Sequence, residues 1–204
     1  MNAREWLEQA TGGMPEAVRD RVRVETLAHL EDAGVGEGED VRGVLGEPGA
    51  MRRELGRLYV PAKRLRGLIE ADSFGTVYLT HGVPVLFLSL AFFDIRSDPR
   101  SAYDELLGQA VLIVVGLWLF ALLLIQRLSP VRRRLWGVAV GLATWWISFW
   151  LNSLSGFLNG TSNELWNAIF LILWPFFVGF HLWRTWHEDR RLRRTLALVG
   201  GAQL

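Results

Sequence analysis

Two histidines, His81 and His181, are the residues of this chain best placed to do chemistry. Each stands in a long apolar stretch, His81 roughly two helical turns into the first and His181 near the end of the last. If those stretches are antiparallel helices, both imidazoles fall at a similar depth, and such a pair could ligate a haem iron between helices. The plainer role is an interfacial histidine bonded to water, a headgroup or a neighbouring hydroxyl such as Thr80. The other polar candidates for chemistry in these stretches are Gln109, Thr144 and Ser148, none of them ionisable. No Asp, Glu, Lys or Arg lies in the middle of any apolar stretch, where proton and cation carriers usually keep one. His29 stands on a charged segment with no second histidine at i+3 or i+4, so a metal role is not expected. The chain has no cysteine, which excludes disulfides, thiolate metal sites and cysteine nucleophiles. It contains neither G-x-x-x-x-G-K-[ST] nor H-E-x-x-H. The expectation is a non-enzymatic protein with no cofactor, with haem at His81 and His181 as an open alternative.

The elements that hold these residues are apolar. Leu106–Gln126 carries no charge and no proline, and its apolar residues run all the way round a helix. It matches the roughly 20 residues that a helix needs to cross a bilayer. Three further stretches read the same way, giving four spans at 74–93, 106–126, 135–154 and 165–186. Arginines sort the loops between them. Arg52, Arg53, Arg57, Lys63, Arg64 and Arg66 precede the first span. Arg127, Arg132, Arg133 and Arg134 join the second to the third, and Arg184, Arg190, Arg191, Arg193 and Arg194 follow the fourth. The opposite side has Arg96 and Arg100 among four acids, and no base in 155–164. Both termini are therefore expected in the cytoplasm, with the chain multi-pass in a cytoplasmic (inner) membrane. Of the 22 Lys and Arg residues only Lys63 is lysine, a bias that points to a GC-rich bacterial genome. The polar N-terminal stretch has no apolar core of a signal peptide, so none is expected to be cleaved.

Within the spans, Trp136, Trp183 and Trp186 fall at the inner interface and Trp150 and Trp166 near the outer one, as an aromatic belt requires. Trp145, Trp146 and Trp174 lie deeper and should fill helix contacts. Gly137 and Gly141, with Thr144 continuing their side, form a small-xxx-small face that lets another helix come close. Pro84 and Pro175 should kink the first and fourth spans. Arg132–Arg134 and Arg190, Arg191, Arg193 and Arg194 fix topology and attract anionic headgroups, each worth on the order of 1 kcal/mol near the surface. Asn159-Gly160-Thr161 reads as a plain turn.

Residues 1–73 read as a small all-helical cytoplasmic head. Asn2 should cap a first helix that ends at Gly12-Gly13, and Pro15 should open a second that stops at Gly34. A third helix begins near Asp40. Gly46-Glu47-Pro48 breaks it, a fourth follows, and Pro61 restarts the chain toward the membrane. The expected core is Trp6, Val18, Val22, Leu27, Leu30, Val41, Leu45, Met51 and Leu55, thin for an independent domain. The remaining 187–204 read as a basic cytoplasmic tail, and Asp72-Ser73 as a hinge.

One run in the head carries a resemblance. Glu25-x-x-Ala28-His29-Leu30-Glu31-Asp32 leads to a glycine-rich turn, a short helix, then Leu45-Gly46-Glu47-Pro48 with Leu55 beyond. Over residues 3–58 this resembles the HAAS / permease-prefix type of helical domain. The linker at 34–38 is shorter and richer in glycine than that pattern, and no large permease follows. Such domains stand at the cytoplasmic N-terminus of bacterial membrane proteins, some of them encoded beside PadR-like transcription regulators. The resemblance implies an interaction or signalling module, with Glu25, His29, Leu45, Gly46, Pro48 and Leu55 as the residues that would serve a partner. The partners expected are the lipid bilayer and a cytoplasmic protein, with no direct nucleic acid; homo-oligomerisation stays open. The competing reading is an accessory subunit of a membrane transporter.

Overall fold

A computed structural model describes residues 1–36, 38–70, 73–97, 102–158 and 164–201, with side chains placed for all of these except 73, 91–97, 102–104, 164–167 and 201. Among the described residues every regular element is a helix. Asp72 of the hinge, Asp98, Arg100, the turn at Asn159–Thr161 and the side chains of Ser73, Asp94, Arg96, Asp104 and Trp166 lie outside them. Contacts divide the chain into two compact units: Met1–Ile69 with His187–Leu204, and Glu70–Trp186.

The first unit contains α1 (Ala3–Thr11), α2 (Glu16–Asp32), α3 (Arg42–Leu45), α4 (Pro48–Leu58) and α5 (Ala62–Ile69). Asn2 and Glu5 make a reciprocal capping box at the start of α1, the Asn2 side chain accepting the Glu5 amide at 2.9 Å. Pro15 stands one place before the first turn of α2, as its N-cap. Gly34 and Gly46 close α2 and α3 at φ 69° and 73°. Gly46 combines that φ with ψ −164°, a region essentially closed to residues with a β carbon. Its carbonyl accepts the indole N–H of Trp6 at 2.8 Å, so the Leu-Gly-acid-Pro turn is keyed to the most deeply buried side chain of α1. Beside it, two hydrogen bonds from the Arg42 guanidinium and one from its backbone hold the Asp40 carboxyl far below its usual range. With the folded value depressed, this contact contributes fully above about pH 4 and is lost only as pH falls through the folded value.

Two apolar clusters hold the head. Ala3, Trp6, Ala10, Leu30 and Val41 form one, with Leu45 and Met51 packed against it. Met14, Val18, Val22 and Leu55 form the other. Leu27, expected in the core, is 36 % exposed, because α2 turns it to the outside one residue past Thr26. Leu55→Asp puts a charge where Leu55 is 4 % exposed, and a buried unpaired carboxylate costs several kcal/mol (about 3–5). The expected result is a head that trypsin cleaves throughout, on a chain that still inserts and extracts from membranes as before. A chain that fails to insert would contradict the division into two units.

The second unit contains α6 (Ser73–Val77), a π-helical turn (Tyr78–Gly82), α7 (Val83–Ser97), α8 (Ala102–Ile125), α9 (Pro130–Leu158) and the first part of α10 (Glu164–Gly201). The α7, α8 and α9 helices pack together around Leu88, Leu107, Val111, Trp118 and Leu151. The buried face of α9 is mostly small: Gly137, Gly141, Thr144 and Ser148 recur three to four residues apart, and Ser155 follows two turns on, past Leu151. The α10 helix joins α9 through aromatic side chains. Trp150 donates its indole N–H to the Leu171 carbonyl at 3.1 Å, and Trp174 packs edge-on against Trp146.

The expected kink at Pro84 takes another form. In regular α winding the proline ring would clash with the carbonyl of residue 80. The turn just ahead of it is instead widened, with the Val83 amide reaching back five residues to the Tyr78 carbonyl. Pro175 stands inside α10, which continues past it. Two helices, over Glu105–Ile125 and Ala168–Gly200, are long and apolar enough to cross a membrane, and a third counts if helices bent at a short break are taken as one span. The α9 helix is not among them, since its tryptophans, glycines, serines and threonines dilute its hydropathy.

Candidate functional site

In the head, the residues suggested by resemblance divide into two sets. Pro48 and Leu55 are buried, Leu45 is half-buried, and Gly46 is fixed by its backbone and by Trp6. These four hold the fold together. Glu25 and His29 are exposed on α2, Glu25 paired with Arg21 one turn earlier. Of the first set Gly46 is also exposed, while Pro48 and Leu55 are closed off from outside the folded head.

The segment 187–204, read as a basic cytoplasmic tail, is helical as far as Gly201, where α10 ends, and groups with the head. Its contacts converge on the link between α4 and α5. The Val60 amide, itself buried, donates to the Thr195 hydroxyl at 2.9 Å, and Arg191 donates twice to the Tyr59 carbonyl, at 3.2 and 2.8 Å. On the other side of the same link, the Ala62 amide donates to the Gly13 carbonyl at 2.9 Å. Arg64 of α5 pairs with Glu188 at 2.6 Å, and that carboxylate raises the Arg64 pKa still further above its ordinary value. Leu192 is wholly buried, and Leu198 packs against the cluster of Met14, Val18, Val22 and Leu55.

Several of the arginines assigned to topology and headgroups therefore have protein partners, Arg191 and Arg193 among them. Arg191 holds Tyr59, and Arg193 makes two hydrogen bonds to the buried Asp189 carboxylate, at 3.0 and 2.8 Å. Arg190 and Arg194 are exposed. The uncharged residues spaced through the arginines, Leu192, Thr195 and Leu198, are the signal that a charge count passes over. They recur at three-residue steps, as one face of a helix does.

In the second unit the π turn meets the glycine face of α9. A β carbon at Gly137 would stand 3.1 Å from the Thr80 hydroxyl oxygen. One at Gly141 would collide with the Leu79 carbonyl oxygen and lie 2.9 Å from the Thr80 Cα. Both glycines thus give room to the widened turn, as close backbone approach requires. His81, on that turn, is exposed and meets the Trp118 ring edge-on at 6.1 Å. His181 is half-buried on α10, with its Nε2 unpartnered. His81, Thr80 and Gly137 line a cavity of about 450 Å³ together with Gln126, Arg133 and Arg134. His181 is not among its walls. Among the described residues no group of three or more His, Cys, Asp or Glu side chains is placed to hold a metal ion.

These features define an all-helical membrane protein, with two or three helices fit to cross a bilayer and a compact helical head. No protein-family model matches the chain, and no curated protein and no solved structure does either.

Proposed function

We propose that the chain is a non-enzymatic signalling or interaction protein of the bacterial inner membrane. Four spans anchor it, both termini are cytoplasmic, and the head binds a cytoplasmic protein. The observation that carries this reading is the shared last helix. The α10 helix starts in the membrane unit and ends among the buried residues of the head, through Leu192, Thr195 and Asp189. A head completed by the end of a membrane helix is able to register how that helix is held, which a separately tethered head is not.

Support for four spans comes from the arginine distribution, which demands an even number, and from the exposed apolar side chains of the second unit. Leu112, Ile113, Leu117, Phe120 and Leu123 are each at least half exposed along α8, and Ile172, Phe176, Phe177 and Phe180 along α10. The resemblance of residues 3–58 to HAAS / permease-prefix domains rests on the residues quoted for it and directs the search toward a PadR-like regulator. The exposed face of α2 with Glu25 and His29 is the surface assigned to that partner.

The test is purification of the intact chain from its native membrane in a gentle detergent, with mass spectrometry of what accompanies it. Recovery of a soluble DNA-binding regulator, lost on charge reversal at Glu25 with Arg21, supports the proposal. Recovery of a nucleotide-hydrolysing subunit instead supports the transporter-accessory reading and contradicts this one.

A further inference from the structure

The cavity at the arginine-bearing end of the second unit has the composition of an anion site. It is lined by the end of α6, the π turn, the last turn of α8 and the first turns of α9. Its volume of about 450 Å³ is within the range of small-ligand pockets. Two guanidinium groups, Arg133 and Arg134, line it together with the Gln126 amide, and no Asp or Glu is among its walls. Arg133 is held in place by donating from one nitrogen to the Gln126 and Leu128 carbonyls at 3.1 and 3.4 Å, at the C-terminal end of α8. Those bonds occupy one nitrogen of a group with five donors.

The second observation is Thr80. It is 6 % exposed and lines this cavity, and its hydroxyl has no hydrogen-bond partner. Three other buried hydroxyls turn back on their own helix. Ser148 donates to the Thr144 carbonyl at 2.8 Å, Thr185 to that of His181 at 2.9 Å and Thr195 to that of Arg191 at 2.9 Å. Thr80, on the π turn and against Gly137, does not. A buried hydroxyl without a partner is destabilising, and a ligand acceptor would remove that cost.

We propose that this cavity binds a phosphate group, the headgroup phosphate of an anionic lipid. Thr80 donates one hydrogen bond, and Arg133 and Arg134 neutralise the charge. The apolar side of the cavity favours a lipid as the source. Val77 lines it and is 55 % exposed, Leu122 and Ile125 line it, and Leu119 and Leu123 continue the exposed face of α8. On the topology proposed above, this end faces the anionic cytoplasmic leaflet.

The test is native mass spectrometry of the full chain in neutral detergent, titrated with phosphatidylglycerol, with phosphatidylcholine and with inorganic phosphate. Wild type should retain one phosphatidylglycerol in preference to phosphatidylcholine. Thr80→Val, and separately the pair Arg133→Gln and Arg134→Gln, should each weaken that binding at least about tenfold. The pair Arg127→Gln and Arg184→Gln removes equal charge outside the cavity and should leave binding within about twofold. Binding of inorganic phosphate with the same dependence on Thr80 and Arg133 would uphold the anion site and make a soluble phosphate its source. Equal loss in both arginine pairs, with Thr80→Val like wild type, would overturn the proposal, because general surface charge would then account for the binding.

Discussion

Gly141→Leu should separate the π turn from α9 and unfold the membrane unit at a denaturant concentration where the wild type is intact. The reason is the identity of the atoms in the way. The first carbon added at 141 meets the Leu79 carbonyl and the Thr80 Cα, which are backbone and cannot rotate aside. Overpacking against movable side chains costs typically about 1–3 kcal/mol, and a backbone collision belongs at or beyond the upper end. Gly141→Ala should already lose most of that, despite the roughly 0.5–1 kcal/mol that alanine gains over glycine inside a helix. Gly116 on α8 supplies the control, since a β carbon there meets nothing within 4 Å. Gly116→Ala should be neutral or slightly stabilising. The measurement is reversible unfolding of each chain in mixed detergent, followed by tryptophan fluorescence. Equal midpoints for the two alanine variants would show that α9 does not approach the π turn so closely.

The second large effect is expected in the head, from changes made more than 100 residues away in sequence. Leu192 is wholly buried, and truncating such a leucine to alanine costs about 2–5 kcal/mol. Thr195→Val keeps the shape but leaves the buried Val60 amide without its acceptor, for about 1–3 kcal/mol. A domain with so thin a core has only about 5 kcal/mol or a little more to lose. The double variant should therefore expose the head to trypsin within minutes, and Thr195→Ser, which retains the hydroxyl, should resist cleavage as the wild type does. Unchanged proteolysis in the double variant would mean that α1 to α5 hold together unaided.

The local structure of the head was legible because its punctuation is local. The cap at Asn2, the stops at Gly34 and Gly46 and the break at Pro48 each act within a few residues. The buried set was also legible wherever apolar residues keep helical spacing; Leu27 failed because it sits at the edge of the α2 face, next to the buried Thr26. The end of the chain was not legible from charge. Arginines that would mark a free cytoplasmic tail also mark one wet side of a packed helix, and only Leu192, Thr195 and Leu198 distinguish the two. The glycines were visible as a pair, but what approaches them was not. Proline at 84 announces a disturbed helix, and nothing in the spacing says that the disturbance is a widened turn seated on Gly137 and Gly141.

The most direct test of the shared last helix is amide hydrogen exchange on the full chain and on a chain ending at Trp186, both in the same lipid nanodisc. Loss of residues 187–204 is predicted to remove protection from the Val60 amide and from α1 and α2, while α8 and α9 keep theirs. If the head retains its protection without that segment, the last helix is no part of it, and the head cannot register the membrane through α10.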